Sequence, residues 1–464
     1  MTNNWEGKQV VMVGAARQGA ALSRYLSEKG AAVILNDRRP EEALGDVFEE
    51  LSDLNLTWVT GSHPIEILDG TDLVCLSGGV PLDLPIIREA IKRNIPISND
   101  SQIFLDHVPC RVIGITGSAG KTTTTSLVGE IAKHHFKLMK PNNAVWVGGN
   151  IGTPLIKDLK KMQEGDLAVM ELSSFQLAIM NTSPQIAAIL NLTPNHLDRH
   201  GSMSEYISAK SQILTHQSPK DIAVLNRDDP NVRELYPEVN GRKITFGFNS
   251  PINKQDSTYC KRGKLILQAD GQTAKIMSTD FINLRGKHNL YNVLAAVAIS
   301  AAARLSIQAI YEGIIAFKGV PHRLEFVRSW GGADWFNDSI ATAPERAIAA
   351  LESFDEPIVL LAGGRDKNLQ WTSLGKEIRQ KVDHLILFGE VADLIQDAVG
   401  EISPGLRPYT IDRRENLKES VKIAAERVAP GDVVLLSPGG TSFDEFIDFE
   451  ERGKGFKQWV MELS

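Results

Sequence analysis

Residues 113–123, Ile-Gly-Ile-Thr-Gly-Ser-Ala-Gly-Lys-Thr-Thr, constrain the fold of this chain more than any other stretch, because they join an apolar strand-like run to a helix through a glycine-rich turn. Upstream, residues 111–115 read as a buried strand, and downstream Thr124, Leu127, Val128 and Ile131 recur at helical spacing. A strand, a tight turn and a helix in that order belong to a parallel α/β sheet with an anion site at its carboxyl edge. Backbone amides of Gly117, Ser118, Ala119, Gly120, Thr122 and Thr123 are placed to converge on phosphate oxygens, with Lys121 as a point charge and the Thr122 hydroxyl as a Mg²⁺ ligand. Gly114 and Gly120 enclose five residues where the common phosphate loop has four, which fits the core GTPases and kinases poorly.

A chain of 464 residues, 42% of them hydrophobic, has length for about three domains. Apolar runs at 9–13, 32–36, 73–76 and 95–98, with a helical pattern at 19–29, complete a first α/β domain over 1–109. The phosphate loop opens a second over 110–319, with strand-like runs at 166–170, 186–192 and 222–226 and a β-rich patch at 243–282. Runs at 357–362, 384–388 and 432–436, each leading into a glycine-containing or polar turn, place a third over 320–464. The net charge of −7 with no Lys/Arg cluster argues against nucleic-acid binding. Cys75, Cys110 and Cys260 are too far apart for a disulfide frame or zinc site. No stretch approaches the apolar length of a membrane span and no leader pattern stands at the start, so a cytoplasmic location is expected.

Three groups of residues carry candidate chemistry. The turn after the first strand, Gly14-Ala15-Ala16-Arg17-Gln18-Gly19, lacks the middle glycine of a dinucleotide fingerprint, so a nicotinamide or flavin cofactor is disfavoured. Asp37, at the end of the second strand, is either a ribose or base contact or a solvated strand-end acid. Glu171, His196 and Lys210 follow apolar runs or lie in a helix-like segment of the second domain, where a carboxylate and an imidazole near a triphosphate suit Mg²⁺ and substrate handling. The competing readings are a helix-capping acid, a surface histidine and a solvated lysine. The third group, His322, Arg323, Asp338, Ser339, Lys367 and Ser442, gathers cationic and hydroxyl groups suited to a carboxylate or phosphate.

Further strings extend the pattern: Gly-Gly-Asn-Ile-Gly (148–152), Glu-Leu-Ser-Ser-Phe-Gln-Leu (171–177) and Asn-Leu-Thr-Pro-Asn-His-Leu-Asp-Arg-His (191–200). Others are Gly-Lys-His-Asn (286–289), Pro-His-Arg (321–323), Asn-Asp-Ser (337–339), Leu-Leu-Ser-Pro (435–438) and Phe-Glu-Glu-Arg-Gly (449–453). In order and spacing they resemble the Mur ligase family along all three domains, and within it the members that add D-glutamate to UDP-N-acetylmuramoyl-L-alanine. The resemblance implies an N-terminal Rossmann-like UDP-binding domain, a central P-loop ATPase-like parallel-sheet domain and a C-terminal Rossmann-like α/β domain.

It implies ATP and two Mg²⁺ as cofactors: Lys121 on the phosphates, Thr122 and Glu171 on one metal, His196 and a carbamylated Lys210 on the other. Asn289 and Asn292 would read adenine, with Arg323 and Asp338 closing on the nucleotide. Ala16, Arg17, Asp37, Arg38 and Gly79 would hold UDP, while Asn150, Ser173 and Gln176 line the path of the muramoyl peptide. Thr342, Lys367, Ser442 and Phe449 would receive glutamate. A monomer acting in peptidoglycan precursor synthesis is implied.

Two departures stand out. Ile340 occupies the position after Asn-Asp-Ser where relatives usually carry lysine, and the turn at 15–17 is less glycine-rich. The alternatives are the same scaffold with L-glutamate or another amino acid, a folylpolyglutamate-type ligase, a nicotinamide-dependent oxidoreductase, and a nucleotide-gated binding protein without ligase chemistry.

Overall fold

The strand β1 (Gln9–Val13) shows why short apolar runs become central strands in this protein. Val10 and Met12 face one core and Val11 and Val13 another, as the two-residue period of a strand requires when both faces are covered. With β2 (Ala32–Asp37), β3 (Thr57–Thr60), β4 (Leu73–Leu76) and β5 (Ile97–Asn99) it forms an all-parallel sheet in the order β3-β2-β1-β4-β5. The order reverses at β1, so the turns after β1 and β4 meet at one switch point, where such sheets bind ligands. The structure is a computed structural model that describes residues 5–150, 152–195, 197–251, 255–401, 403 and 405–464.

The second sheet has nine strands. Its parallel part runs β7 (Val145–Gly149), β8 (Leu167–Glu171), β6 (Arg111–Thr116), β9 (Ile186–Ile189), β10 (Ile222–Asn226), β11 (Arg242–Phe246) and β12 (Ser257–Lys261). The strands β13 (Lys264–Ala269) and β14 (Gln272–Ser278) extend it as an antiparallel meander, which accounts for the β-rich patch seen in the sequence. A third sheet has the order β15-β16-β20-β17-β18-β19. It is built from β15 (Glu325–Trp330), β16 (Ala333–Asn337), β17 (Ile358–Gly363), β18 (Val382–Phe388), β19 (Thr410–Arg413) and β20 (Val433–Gly439), and only β15 runs antiparallel.

The chain gathers into two compact units, Met1–Phe281 with Tyr291–Ala316, and Ile282–Leu290 with Phe317–Ser464. The first holds the five- and nine-stranded sheets and one shared core, in which Leu22 and Phe104 belong to the same apolar cluster as Leu155, Ile156 and Leu159. The second holds the six-stranded sheet, with Leu360 and Ala362 facing one core and Val359 and Leu361 the other. Among the described residues no helix is long and apolar enough to cross a membrane.

One expectation is corrected. Gly114 is a residue of β6 and not a loop glycine; a Cβ there would come within 2.5 Å of Pro184 Cγ, so its absent side chain serves strand packing. The loop proper spans residues 117–120, and counting from Gly114 does not measure it.

Candidate active site

β6 lies between β8 and β9, and the phosphate loop leaves its carboxyl end directly into the helix Lys121–Met139. Gly120 turns the chain at φ 80°, and a Cβ there would stand 2.2 Å from Asn292 Oδ1. Both the positive φ and the close approach require glycine. Asn292 also accepts from Thr124 Oγ1 at 3.4 Å, which packs the helix Lys287–Ala302 against the loop. The Ser118 hydroxyl accepts from Tyr206 Oη at 2.9 Å and donates to the Thr193 carbonyl at 2.8 Å.

Sheet register delivers the acid. Glu171 is the last residue of β8, paired with Ile115 of β6, so its carboxylate arrives beside the loop. It is buried; its Oε2 accepts from Thr122 Oγ1 at 2.9 Å and its Oε1 from Asn150 Nδ2 at 3.2 Å. It is therefore a strand-end acid and not a helix cap. Lys121 folds back, its Nζ donating to the Gly117 carbonyl at 2.9 Å and the Ser118 carbonyl at 3.3 Å.

Lys210 is 2% exposed, which overturns the solvated-face reading. The helix Met203–Thr215 presses it under β6, where Nζ donates to Gly117 O at 3.0 Å and Thr116 Oγ1 at 3.3 Å and lies 4.9 Å from the Tyr206 ring centre. Burial first, and the Lys121 charge second, pull its ammonium down to about 6, against the opposing pull of Glu171. A lysine in that state is largely a neutral amine at neutral pH.

The chain thus brings Lys121, Thr122, Glu171 and Lys210 together at one strand edge. His196 lies outside the described residues. Among the described residues no group of three His, Cys, Asp or Glu is set to hold a metal ion. The Thr122 hydroxyl and Glu171 carboxylate are nevertheless the hard oxygen donors that Mg²⁺ takes, side by side at a helix N-terminus.

At the switch point of the five-stranded sheet, Gly14 adopts φ 95° and the Ala15 amide donates to Asp37 Oδ2 at 2.8 Å. Arg39 holds the same carboxylate through Nε at 3.0 Å and Nη2 at 2.9 Å. Burial alone would raise the Asp37 carboxyl, but the hydrogen bonds from Arg39 and the Ala15 amide outweigh it and keep it at about 2. Asp37 is thus a buried, charged strut rather than a solvated acid. Ala16 precedes the helix Arg17–Glu28, Arg38 is exposed, and Arg17 Nη1 reaches the Gly152 carbonyl at 3.0 Å.

The turn after β4 faces Phe175 and Gln176 across a shallow open cleft, and the buried Ser77 hydroxyl that lines it has no hydrogen-bond partner among the described residues. Ser173 and Gln176 close a capping box on each other, while Gln176 Nε2 donates to Ser101 Oγ at 2.7 Å. Gly79 O accepts from Arg199 Nη2 at 2.9 Å.

In the second unit, the ends of β16, β17 and β20 stand side by side. Asp338 is buried, accepting from Ser437 Oγ at 2.9 Å and the Leu324 amide at 3.2 Å. Burial lifts its carboxyl to about 7, with Ser437, the Leu324 amide and Arg323 pulling the other way. Backbone hydrogen bonds of 2.9 Å in both directions between Arg365 and Thr441 pin the loop carrying the exposed Lys367 to that carrying the buried Ser442. Thr342 follows the Asp338–Ala341 turn. The Phe449 carbonyl accepts from Ser339 Oγ at 2.8 Å, tying the helix Phe449–Glu462 to the same edge. Asn289 belongs to this unit, donating through Nδ2 to Arg285 O at 2.7 Å.

Sequence reasoning passed over Arg39, Tyr206 and Arg452. The Arg452 guanidinium is fully buried against Ser339 and the Gly440 carbonyl. Only its place in the Phe-Glu-Glu-Arg-Gly string could have marked it.

Fold and site together define an α/β enzyme frame with a phosphate loop on its central sheet. Family models match in three places: the MurD-like N-terminal domain of Mur ligases at residues 8–99, the Mur ligase middle domain at 115–300 and the Mur ligase glutamate ligase domain at 322–440. The chain is 42% identical over 457 residues, 98% of each chain, to a protein of Symbiobacterium thermophilum named UDP-N-acetylmuramoylalanine--D-glutamate ligase. A Pelotomaculum thermopropionicum protein of the same name is 38% identical over 464 residues, covering 100% of this chain and 99% of its own. The solved structure of MurF ligase from Thermotoga maritima in complex with ADP shares the fold, with a TM-score of 0.55 at 20% identity over 98% of this chain and 96% of its own. The chain belongs to the Mur ligase family, and it is an ATP-dependent ligase.

Proposed function

We propose that this chain joins D-glutamate to the alanyl carboxyl of UDP-N-acetylmuramoyl-L-alanine, converting ATP to ADP and phosphate, as a cytoplasmic monomer making peptidoglycan precursor. The observation that carries the reading is the convergence of Lys121, Thr122, Glu171 and Lys210 on the end of β6. The full-length identity to relatives bearing that substrate name supports it.

The alanyl carboxylate attacks the γ-phosphorus of ATP, ADP leaves, and the glutamate amine displaces phosphate from the resulting acyl phosphate. Two anions approach in the first step, so Lys121 and the helix N-terminus at Gly120 supply positive potential where charge accumulates. Thr122 and Glu171 would hold one Mg²⁺; His196 and Lys210, the latter carrying carbon dioxide as a carbamate, would hold another. Bound there, Mg²⁺ neutralises phosphate charge. A neutral, buried Lys210 amine is the form able to take up carbon dioxide, and the carbamate exchanges an ammonium, which cannot ligate a cation, for an anion that can.

The turns bearing Ala16, Arg17 and Gly79, with Asp37 and Arg38, hold the UDP end. Asn150, Ser173 and Gln176 line the muramoyl path. Asn289, Asn292, Arg323 and Asp338 serve the nucleotide, and Thr342, Lys367, Ser442 and Phe449 receive glutamate. Ile340 is the residue that bears on the choice of enantiomer.

The test is ATP consumption in the presence of UDP-N-acetylmuramoyl-L-alanine and each glutamate enantiomer, omitting one substrate at a time. Turnover that requires both substrates and prefers D-glutamate is expected. No turnover with either enantiomer defeats the reading, and L-only turnover replaces the amino acid. Partial rescue of Lys210→Ala by short-chain carboxylic acids is expected of a working carbamate; absence of rescue removes that assignment.

A further inference from the structure

The segment after β9 grips the phosphate loop as a strand would. Asn191 pairs with Ala119 through both ends of its side-chain amide: Oδ1 accepts from the Ala119 N–H at 2.8 Å and Nδ2 donates to the Ala119 carbonyl at 3.0 Å. Its own carbonyl accepts from the Ser118 N–H at 2.9 Å, and the Thr193 N–H donates to Ser118 Oγ at 3.0 Å.

This pairing has a consequence for anion binding. In an ordinary glycine-rich phosphate loop the loop amides themselves surround the phosphates. Here the Ser118 and Ala119 N–H groups are already committed to Asn191. The first helical hydrogen bond runs from the Thr124 N–H to the Gly120 carbonyl at 2.9 Å, so by helix geometry the Thr122 and Thr123 amides have no carbonyl partner within the helix. On its other side the loop is fixed by Asn292 against Gly120.

We propose that Asn191 is a positioning residue for ATP. It keeps residues 117–120 in one shape, with two amides turned away, in the empty and the nucleotide-bound enzyme alike, so that the phosphates are received by the first turn of the helix Lys121–Met139 and by Lys121. Asn191 touches neither nucleotide nor metal; it acts through Ala119. The inference rests on the reading of this chain as an ATP-dependent ligase.

The test is calorimetric titration of the full-length protein with ADP in Mg²⁺, for wild type, Asn191→Ala and Asn191→Asp, beside steady-state kinetics and melting curves. Asn191→Ala removes both side-chain hydrogen bonds and is expected to weaken ADP binding about tenfold and raise the KM for ATP in proportion. The KM for UDP-N-acetylmuramoyl-L-alanine stays within about twofold. Asn191→Asp keeps an acceptor for the Ala119 N–H, loses the donor and adds charge, so its ADP deficit is expected to shrink as salt is raised.

Tighter ADP binding by Asn191→Ala would overturn the proposal, because Asn191 would then be a latch that withholds the Ala119 amide. A lowered melting temperature with unchanged ADP affinity would overturn it equally, leaving a merely structural residue. If Asn191→Ala does not fold, Asn191→Asp decides alone, and unchanged ADP affinity overturns the proposal. Failure of the wild-type protein itself to bind ADP would instead count against the functional reading.

Discussion

Lys121 and Lys210 donate to the same acceptor: their Nζ atoms stand 2.9 and 3.0 Å from the Gly117 carbonyl oxygen. Burial first, and the neighbouring Lys121 charge second, lower the Lys210 ammonium to about 6 against the opposing pull of Glu171. The unfolded chain holds that proton up to the ordinary lysine pKa near 10.4. Between about pH 6 and that value the unfolded state therefore binds more protons than the folded one, so stability rises with pH; the cost of burying the group is complete below pH 6. Lys210→Met, which fills the same space without a charge, is expected to melt higher than wild type near pH 6. The advantage should shrink toward pH 10. Melting curves across that range check it, and a gap independent of pH would show that Lys210 does not titrate there.

Lys121 donates through Nζ to the loop's own Gly117 and Ser118 carbonyls, which holds its charge over the loop. Lys121→Ala should lower kcat by at least about a hundredfold, the scale of losing one donor to a developing charge. Binding of UDP-N-acetylmuramoyl-L-alanine should hold within about twofold. Equilibrium titration with that substrate separates this from misfolding, which would abolish both.

Glu171 is buried with a hydroxyl and an amide as its partners, which orient its carboxylate toward the loop. Glu171→Gln preserves shape and removes the charge. The Mg²⁺ concentration for half-maximal activity is expected to rise about tenfold or more. A Mg²⁺ titration at fixed ATP reads this directly, and an unshifted midpoint would take Glu171 out of the metal site.

Much of the frame was legible in the sequence because central parallel strands are covered on both faces and so appear as unbroken apolar runs; β1, β8 and β17 are examples. The strands that escaped are mostly those at sheet edges. β3, β7 and β19 each have a single neighbour and partly exposed residues, so Thr-Trp-Val-Thr or Thr-Ile-Asp-Arg carries no apolar run. β16 is interior and was also missed, since Asp334 and Asn337 interrupt it. In the site, the loop and Glu171 were readable from strand ends. The burial of Lys210 was not, because the helix Met203–Thr215 gives it no apolar signature and only packing under β6 hides it. The Asn191 grip was equally silent, since it depends on a side chain imitating backbone across neighbouring strands.

Asp338 carries the opposite titration to Lys210. Its carboxyl is raised by burial to about 7, despite the Ser437 hydroxyl, the Leu324 amide and Arg323. From the ordinary aspartate value near 3.9 up to about 7 the folded state holds a proton that the unfolded state has lost, so stability falls as pH rises through that window. Asp338→Asn, neutral at every pH and able to keep one acceptor for Ser437, is therefore expected to melt a few degrees above wild type at pH 8. The difference should close near pH 4. The same change is expected to lower turnover if, as proposed, Asp338 serves the nucleotide. Melting temperature and kcat measured on the same variant, at pH 5 and pH 8, test both halves. A variant more stable at pH 8 and fully active would leave Asp338 without a part in the reaction.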